Sequence, residues 1–327
     1  MAAENHDRAF RKGAMTDQRE LKISCVVPVY NEAPVIETLV NRISEVMRKT
    51  GDRYEVIFVD DGSQDKTWDT LKRITASSEH IRAIRFTRNF GKESAIQAGL
   101  QAVRGKAAII MDADLQHPPD LLPEMISLWG KNGYEVVEGV KTTRQKESLI
   151  NKLGSVVFYT ALRRVSGFDL RKDTDFKLLD RKVIDAYLSL NERGRFFRTL
   201  IPYLGFRTAR IPFSPDERES GNPGFSFFKR FDLAVTAITS FSSLPLHVVT
   251  LLGVFTFLFS FLLGLHTIYV KLSGRAVEGF TTVILIVLFI GSILMIALGI
   301  IGEYIARIFE EVKHRPVFVV AETVDPK

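Results

Sequence analysis

The sequence predicts an α/β fold: a doubly wound, mostly parallel sheet, followed by an interfacial helix and two membrane-spanning helices. Three observations carry this. Short apolar runs alternate with amphipathic stretches from Lys22 to about Leu190, the order that builds a parallel sheet with helices on its faces. Three of those apolar runs close on acids beside turn-forming residues, as strands do at the carboxyl edge of such a sheet. Near the C-terminus lie two further apolar runs of about 23 and about 21 residues, each long enough to cross a bilayer.

The elements follow in order. Ile23 to Val29 reads as a strand, and Val35 to Lys49 as an amphipathic helix with Val35, Ile36, Leu39, Val40, Ile43, Val46 and Met47 on one face. Strands are expected at Tyr54 to Asp60, Ile81 to Thr87 and Ala107 to Asp112, with helices at Thr67 to Ser77 and Lys92 to Val103 between them. Beyond these, Asp120 to Lys131 reads as helix, Val136 to Lys141 as extended and Leu149 to Val165 as helix. Phe176 to Leu179 is a short strand, and Lys182 to Leu190 and Phe196 to Leu204 are helices. Pro212 to Gly224, with three prolines and two glycines, reads as a loop or lid. Phe225 to Phe241 mixes aromatic and aliphatic residues with Lys229, Arg230 and Asp232, which suits a helix lying in a membrane interface.

Val248 to Val270 and Thr281 to Ile301 carry no charged residue and no polar face, unlike a surface helix of a soluble protein. Lys229 and Arg230 precede the first run, and Arg307, Lys313 and Arg315 follow the second. Basic flanks favour the cytoplasm, so the loop between the spans is expected to face away from it. Met1 to Glu20 is polar and lacks the apolar segment of a secretory signal. The expected organisation is a disordered leader (1–20), a cytoplasmic α/β domain (21–212), a loop and interfacial helix (213–243), a membrane hairpin (244–302) and a cytoplasmic amphipathic segment (303–327). The single cysteine, Cys25, excludes an intramolecular disulfide and a cysteine-rich zinc site and reads as a small core residue. The net charge of +6 fits phosphate binding and membrane anchoring, and no nucleic-acid motif accompanies it.

The chemistry is concentrated at strand ends. The first strand leaves through Pro28, Tyr30, Asn31 and Glu32, the second through Asp60-Asp61-Gly62-Ser63, and the fourth through Asp112-Ala113-Asp114. Carboxylates gather in one crevice only where a cation or several donors share it. Two of them one residue apart suit a hard divalent cation, Mg2+ or Mn2+, that also holds phosphate oxygens. The chain has no glycine-rich phosphate loop of the Rossmann or Walker type. A metal must then do much of the phosphate neutralisation, which points to a nucleotide-diphosphate sugar whose leaving group needs it.

Five stretches in order, Val26-Val-Pro-Val-Tyr-Asn-Glu32, Val59-Asp-Asp-Gly-Ser-Gln-Asp65, Asn89-Phe-Gly-Lys92, Asp112-Ala-Asp-Leu-Gln-His-Pro-Pro119 and Asp175-Phe-Lys-Leu-Leu-Asp-Arg181, resemble the polyisoprenyl-phosphate glycosyltransferases, the inverting GT-A-fold group of bactoprenol glucosyltransferases and dolichol-phosphate mannose synthases. The resemblance runs from about Ile23 to Val320. It implies transfer of a hexose, glucose first, from a UDP-sugar to undecaprenyl phosphate on the cytoplasmic face of the membrane. It implies that Pro28, Tyr30, Glu32 and Asp61 hold the nucleoside. Asp112, Ala113, Asp114 and Lys141 would hold the nucleotide sugar, and Asp112, Asp114 and Gln116 the metal and pyrophosphate. Asp175 and Asp114 fall at the catalytic positions, Asp175 as the acid often assigned as base. A lipid phosphate is already anionic at neutral pH, so an orienting role suits Asp175 better. Arg195, Arg198, Arg218 and Lys229 are the candidates for the acceptor phosphate. Where the group shows Ser-Lys-Tyr, this chain has Pro223-Gly224-Phe225 and so lacks a lysine expected near the phosphates. GDP-mannose, UDP-N-acetylhexosamine and a UDP-aminoarabinose derivative are alternative donors, and a non-catalytic membrane scaffold is the alternative outside enzymes. A processive polysaccharide synthase is disfavoured because the chain lacks Gln-x-x-Arg-Trp. A homo-oligomer is expected, with the amphipathic stretches at Phe225 and Tyr304 as its contacts.

Overall fold

The computed structural model describes residues 22–142, 174–190, 192, 195–214, 244–273 and 279–326. These fall into two compact units, the first containing the sheet and the second the two long C-terminal helices. The helices expected at Leu149 to Val165 and Phe225 to Phe241 lie outside the described residues, as do Arg218 and Lys229.

The first unit alternates strand and helix as expected: β1 (Ile23–Val29), α1 (Ile36–Thr50), β2 (Tyr54–Asp60), α2 (Thr67–Ala76), β3 (Ile81–Phe86), α3 (Lys92–Ala102) and β4 (Ala107–Ile110). A 3-10 turn (Pro119–Leu121) leads into α4 (Leu122–Asn132), and β5 (Val136–Lys141), β6 (Lys177–Asp180), α5 (Arg181–Ser189), α6 (Phe197–Tyr203) and β7 (Thr208–Phe213) follow. β1 and β2 are buried at every residue, as strands covered on both faces must be. Alternate residues feed the two faces. Cys25, Val27, Val56, Phe58 and Ile109 join α1, Trp68, Leu71 and Met125 in one core. On the other face α3 lies so close to β1 that a Cβ on Gly99 would meet Val26 Cγ1 at 2.2 Å.

The sheet runs β7-β5-β6-β4-β1-β2-β3-β8, where β8 is Val320–Val324. β4, β1, β2 and β3 are parallel neighbours. The chain lays β1, β2 and β3 in one direction and then places β4 on the other flank of β1. The switch point therefore falls between the carboxyl ends of β1 and β4, where open α/β sheets bind ligands. β6 runs antiparallel to β4, with Lys177 opposite Ile110. Asp175, just before β6, is thereby brought to the edge that β4 delivers Asp112 to.

Two strands depart from expectation. Pro212 was read as the start of a loop, but it lies in β7, paired in parallel with β5. β7 is an edge strand, where a missing N–H costs no ladder bond. The stretch after the second apolar run continues as helix to Val312 and then contributes β8, antiparallel to β3. Trp68 Nε1 donates to Glu322 at 3.0 Å and Arg82 Nε to Asp325 at 2.7 Å, fastening this strand to the first unit.

The second unit holds α7 (Leu244–Leu272) and α8 (Phe280–Val312), which touch each other. Val248–Val270 and Phe289–Ala306 are long and apolar enough to cross a membrane by length and composition. The helix that carries the second begins at Phe280, next to the expected Thr281. Their large apolar side chains, among them Leu251, Phe257 and Met295, are exposed, whereas a core helix would bury them.

Candidate active site

The loops at the switch point are shaped by backbone before side chains act. Asn31 after β1 and Leu115 after β4 both take the left-handed conformation, with φ of 56° and 60°. Asn tolerates that region, but buried Leu115 is strained there, as residues at functional turns often are. The Asn31 side chain accepts from the Gln64 N–H at 2.9 Å, and its own N–H donates to Ser63 Oγ at 2.9 Å. The ends of β1 and β2 are thus bonded together. Tyr30 is left 41% exposed beside them, able to stack on a planar group, while Pro28 is buried within β1 and shapes the strand. The Glu32 N–H donates to Thr67 Oγ1 at 2.9 Å.

Asp61 accepts from the backbone N–H groups of Phe90 (2.6 Å) and Gly91 (2.9 Å). Burial pushes its carboxyl up, and those N–H groups only partly oppose the shift. Gly62 follows at φ 71°, and a Cβ there would lie 2.4 Å from the Arg88 carbonyl carbon. Gly62→Ala should therefore separate the β2 and β3 loops, destabilising the fold by about 2–4 kcal/mol. Urea unfolding checks this, and a wild-type midpoint would refute the close approach.

The acids after β4 stand on a tight turn. The Asp112 N–H donates to His117 Nδ1 at 2.9 Å, and the Gln116 N–H to Asp114 Oδ1 at 3.1 Å. His117 is buried and stacked on Phe176 with 4.9 Å between ring centroids, and burial lowers its pKa. It supports the turn in its neutral form, accepting a hydrogen bond at Nδ1 from the Asp112 backbone N–H. Lys141 Nζ donates to the Gln116 side-chain oxygen at 3.2 Å, and Ala113 is buried between the acids.

Two residues dominate the electrostatics. Lys92 Nζ lies 2.5 Å from Asp112 Oδ1 and 2.5 Å from Asp175 Oδ2. Arg198 grips Asp175 with a two-pronged fork, Nε to Oδ1 at 2.7 Å and a terminal nitrogen to Oδ2 at 2.8 Å. Burial alone would raise the Asp175 carboxyl, but Arg198 and Lys92 reverse this and hold it far below the usual carboxylate range. For Asp112, likewise, burial is outweighed by Lys92 and the pKa falls. Lys92 lies above the ordinary lysine value because Asp112 and Asp175 overcome its own desolvation. Glu93, the next residue, accepts from the Phe197 N–H at 2.9 Å, and burial pushes it up to about 7.

Of the expected site residues, Asp112, Asp175 and Arg198 are linked through Lys92 and the Arg198 fork, while Asp114 and Gln116 on the turn form a second chain with Lys141 at the end of β5. Arg198, expected at the acceptor phosphate, is engaged by Asp175. Arg195 donates to the backbone carbonyls of Glu192 and Leu190 and lies over the Tyr187 ring, so it braces the loop after α5. The sequence names Lys92 only as the end of Asn89-Phe-Gly-Lys92, without a role in the site, and does not single out Glu93. A signal was present: cations are disfavoured in the first turn of a helix, and Lys92 is the first residue of α3.

The donor set fits a hard divalent ion. The carboxylates of Asp112 and Asp114 and the Gln116 amide oxygen are all oxygen ligands on one turn. Among the described residues no group of three or more His, Cys, Asp or Glu converges. A divalent ion held by few protein ligands keeps positions for water and phosphate oxygens.

A family model described as glycosyl transferase family 2 matches residues 24–188, and one described as GtrB C-terminal hairpin matches residues 244–308. The uncharacterized glycosyltransferase YkcC of Bacillus subtilis is 38% identical over 307 residues, covering 93% of this chain and 95% of that protein. Bactoprenol glucosyl transferase of Shigella phage SfV is 34% identical over 302 residues, covering 92% of this chain and 98% of that one. Glucosyl-3-phosphoglycerate synthase from Mycobacterium tuberculosis, solved with Mn2+ and uridine-diphosphate-glucose, aligns with a TM-score of 0.46 at 19% identity over 76% of this chain and 82% of that one. With its sheet, its strand-end acids and its apolar hairpin matched over nearly the whole length, the chain belongs to glycosyltransferase family 2 and carries the GtrB type of C-terminal hairpin.

Proposed function

We propose that this glycosyltransferase moves glucose from UDP-glucose to undecaprenyl or a similar polyprenyl phosphate at the cytoplasmic face of a bacterial inner membrane, with inversion at the anomeric carbon. The observation that carries the reading is the pairing of Asp112 and Asp175 through Lys92, with Asp114 on the same turn as Asp112, at the carboxyl end of β4 beside the switch point. The extent of alignment with a relative named for bactoprenol glucosyl transfer supports the sugar and acceptor.

In this reading Tyr30, Glu32 and Asp61 hold the nucleoside beside Pro28. Asp112, Asp114 and Gln116 would hold Mg2+ or Mn2+, which when bound offsets the charge gathering on departing UDP. Lys141 fixes the Gln116 side chain. The lipid phosphate attacks as an anion and needs no proton removed. Asp175, with its pKa held far down by Arg198 and Lys92, is a poor base and serves to orient sugar and acceptor. Residues 21–212 form the catalytic part, and the apolar hairpin anchors the chain in the membrane that carries the lipid acceptor. Arg218 and Lys229 remain candidates for the acceptor phosphate, and self-association through the segments at Phe225 and Tyr304 belongs to the same proposal.

One assay tests donor, acceptor and metal together. Purified protein in detergent is given a short polyprenyl phosphate and radiolabelled UDP-glucose, GDP-mannose, UDP-N-acetylhexosamine or UDP-aminoarabinose, with and without EDTA. Labelled lipid is expected from UDP-glucose, lost with EDTA and restored by Mg2+ or Mn2+. Labelling from another nucleotide sugar would reassign the donor, and no labelled lipid from any of them would refute the reading.

A further inference from the structure

We propose that Lys92 is a resident counter-ion of the donor site. Its ammonium neutralises Asp112 while the site is empty and must leave that carboxylate before a divalent cation can use it. The inference rests on the metal-dependent donor site proposed above.

The geometry gives the reason. Lys92 Nζ sits 2.5 Å from Asp112 Oδ1, within the space a bound Mg2+ or Mn2+ would need around that oxygen. An ammonium and a divalent cation cannot share one carboxylate oxygen without strong like-charge repulsion. The two carboxylates that Lys92 bridges are unequal. Asp175 has the Arg198 fork besides, so its charge is balanced wherever Lys92 goes. Asp112 faces Lys92 and, at 3.9 Å, the His117 ring, so it is the partner that gains most from a metal.

The arm is built to move while its root is not. The Lys92 backbone follows Gly91, whose N–H is bonded to Asp61, and the residue opens α3. Its side chain keeps 40% of its surface exposed, against 4% for Asp175. A four-carbon arm pivoting from a fixed Cα can surrender Asp112, keep Asp175 and present its ammonium to phosphate oxygens. It thereby supplies the lysine that Pro223-Gly224-Phe225 lacks.

The test sets two readouts in opposite directions. Mn2+ binding by electron paramagnetic resonance, without nucleotide, is compared for the full-length wild type, Lys92→Met and Lys92→Arg in detergent. Lys92→Met should bind Mn2+ about tenfold more tightly, the scale of one neighbouring like charge removed, yet transfer sugar at least about tenfold more slowly for want of the cation. Lys92→Arg, which keeps the charge, should bind Mn2+ no more tightly than wild type. A purely structural lysine would weaken both activities together. Should Lys92→Met unfold early, Lys92→Gln, which can still donate to both carboxylates, carries the same comparison. Unchanged or weaker Mn2+ binding in the folded variant overturns the proposal. Failure of the wild type itself to bind Mn2+ with UDP would overturn the metal site instead.

Discussion

Asp112→Asn and Asp114→Asn should each lower sugar transfer by at least about 10²–10³-fold, the scale of losing one preorganised charge-stabilising group, while the protein stays folded. Asparagine keeps the shape and one oxygen of each side chain but removes the charge a divalent cation needs. The turn itself survives, because its bond to His117 comes from the Asp112 backbone N–H and an amide oxygen at position 114 can still accept from the Gln116 N–H. In Asp112→Asn the Lys92 ammonium retains Asp175 at 2.5 Å, so no buried cation is stranded. Thermal midpoints within a few degrees of wild type, with Mn2+ affinity and transfer both lost, are the expected pattern. Near-normal turnover in both variants would remove the metal from the reaction.

How much of this was legible depends on the reach of each interaction. β1, β2 and α1 were placed to within about a residue, since continuous apolar runs and a 3.6-residue stripe report local burial directly. The acids at the switch point were legible because Asn31 and Gly62 mark where β1 and β2 must turn. β7 was not, for its burial is partial and Pro212 reads as a breaker until an edge position excuses it. β8 was not, because five residues of Val-Ala-Glu-Thr-Val carry almost no signal of their own and pair with β3 far away in sequence. The role of Lys92 was hidden for the same reason: Asp112 and Asp175 come from separate strands, and only the antiparallel entry of β6 brings them to one ammonium. Arg198 shows the converse limit. Its basic character was plain, but a long side chain chooses its partner in three dimensions, and Asp175 was the nearer anion.

Arg198→Ala should be the most destabilising change among the charged residues of the site. Asp175 retains 4% of its side-chain surface and receives two hydrogen bonds from the Arg198 fork. Removing one partner of a buried pair typically costs about 3–5 kcal/mol. Here Lys92 remains on Asp175 and the Arg198 side chain is itself 39% exposed, so about 2–3 kcal/mol is the reasoned figure, roughly a 5–10 °C loss in thermal midpoint. The pH dependence fixes the cause. Asp175 has its pKa depressed in the folded protein, so its pairing adds stability above the unfolded-state pKa of about 4 and loses it as pH falls below that value. The gap between wild type and Arg198→Ala should then be full near neutrality and close in acid. Arg198→Lys should recover only part of the loss, because an ammonium restores charge but not the fork. Asp175→Asn combined with Arg198→Ala should cost less than the two single changes added, since they remove one shared interaction. A gap that stays constant down to pH 3, or strictly additive single changes, would show that Arg198 stabilises the fold by packing and that the ion pair contributes little.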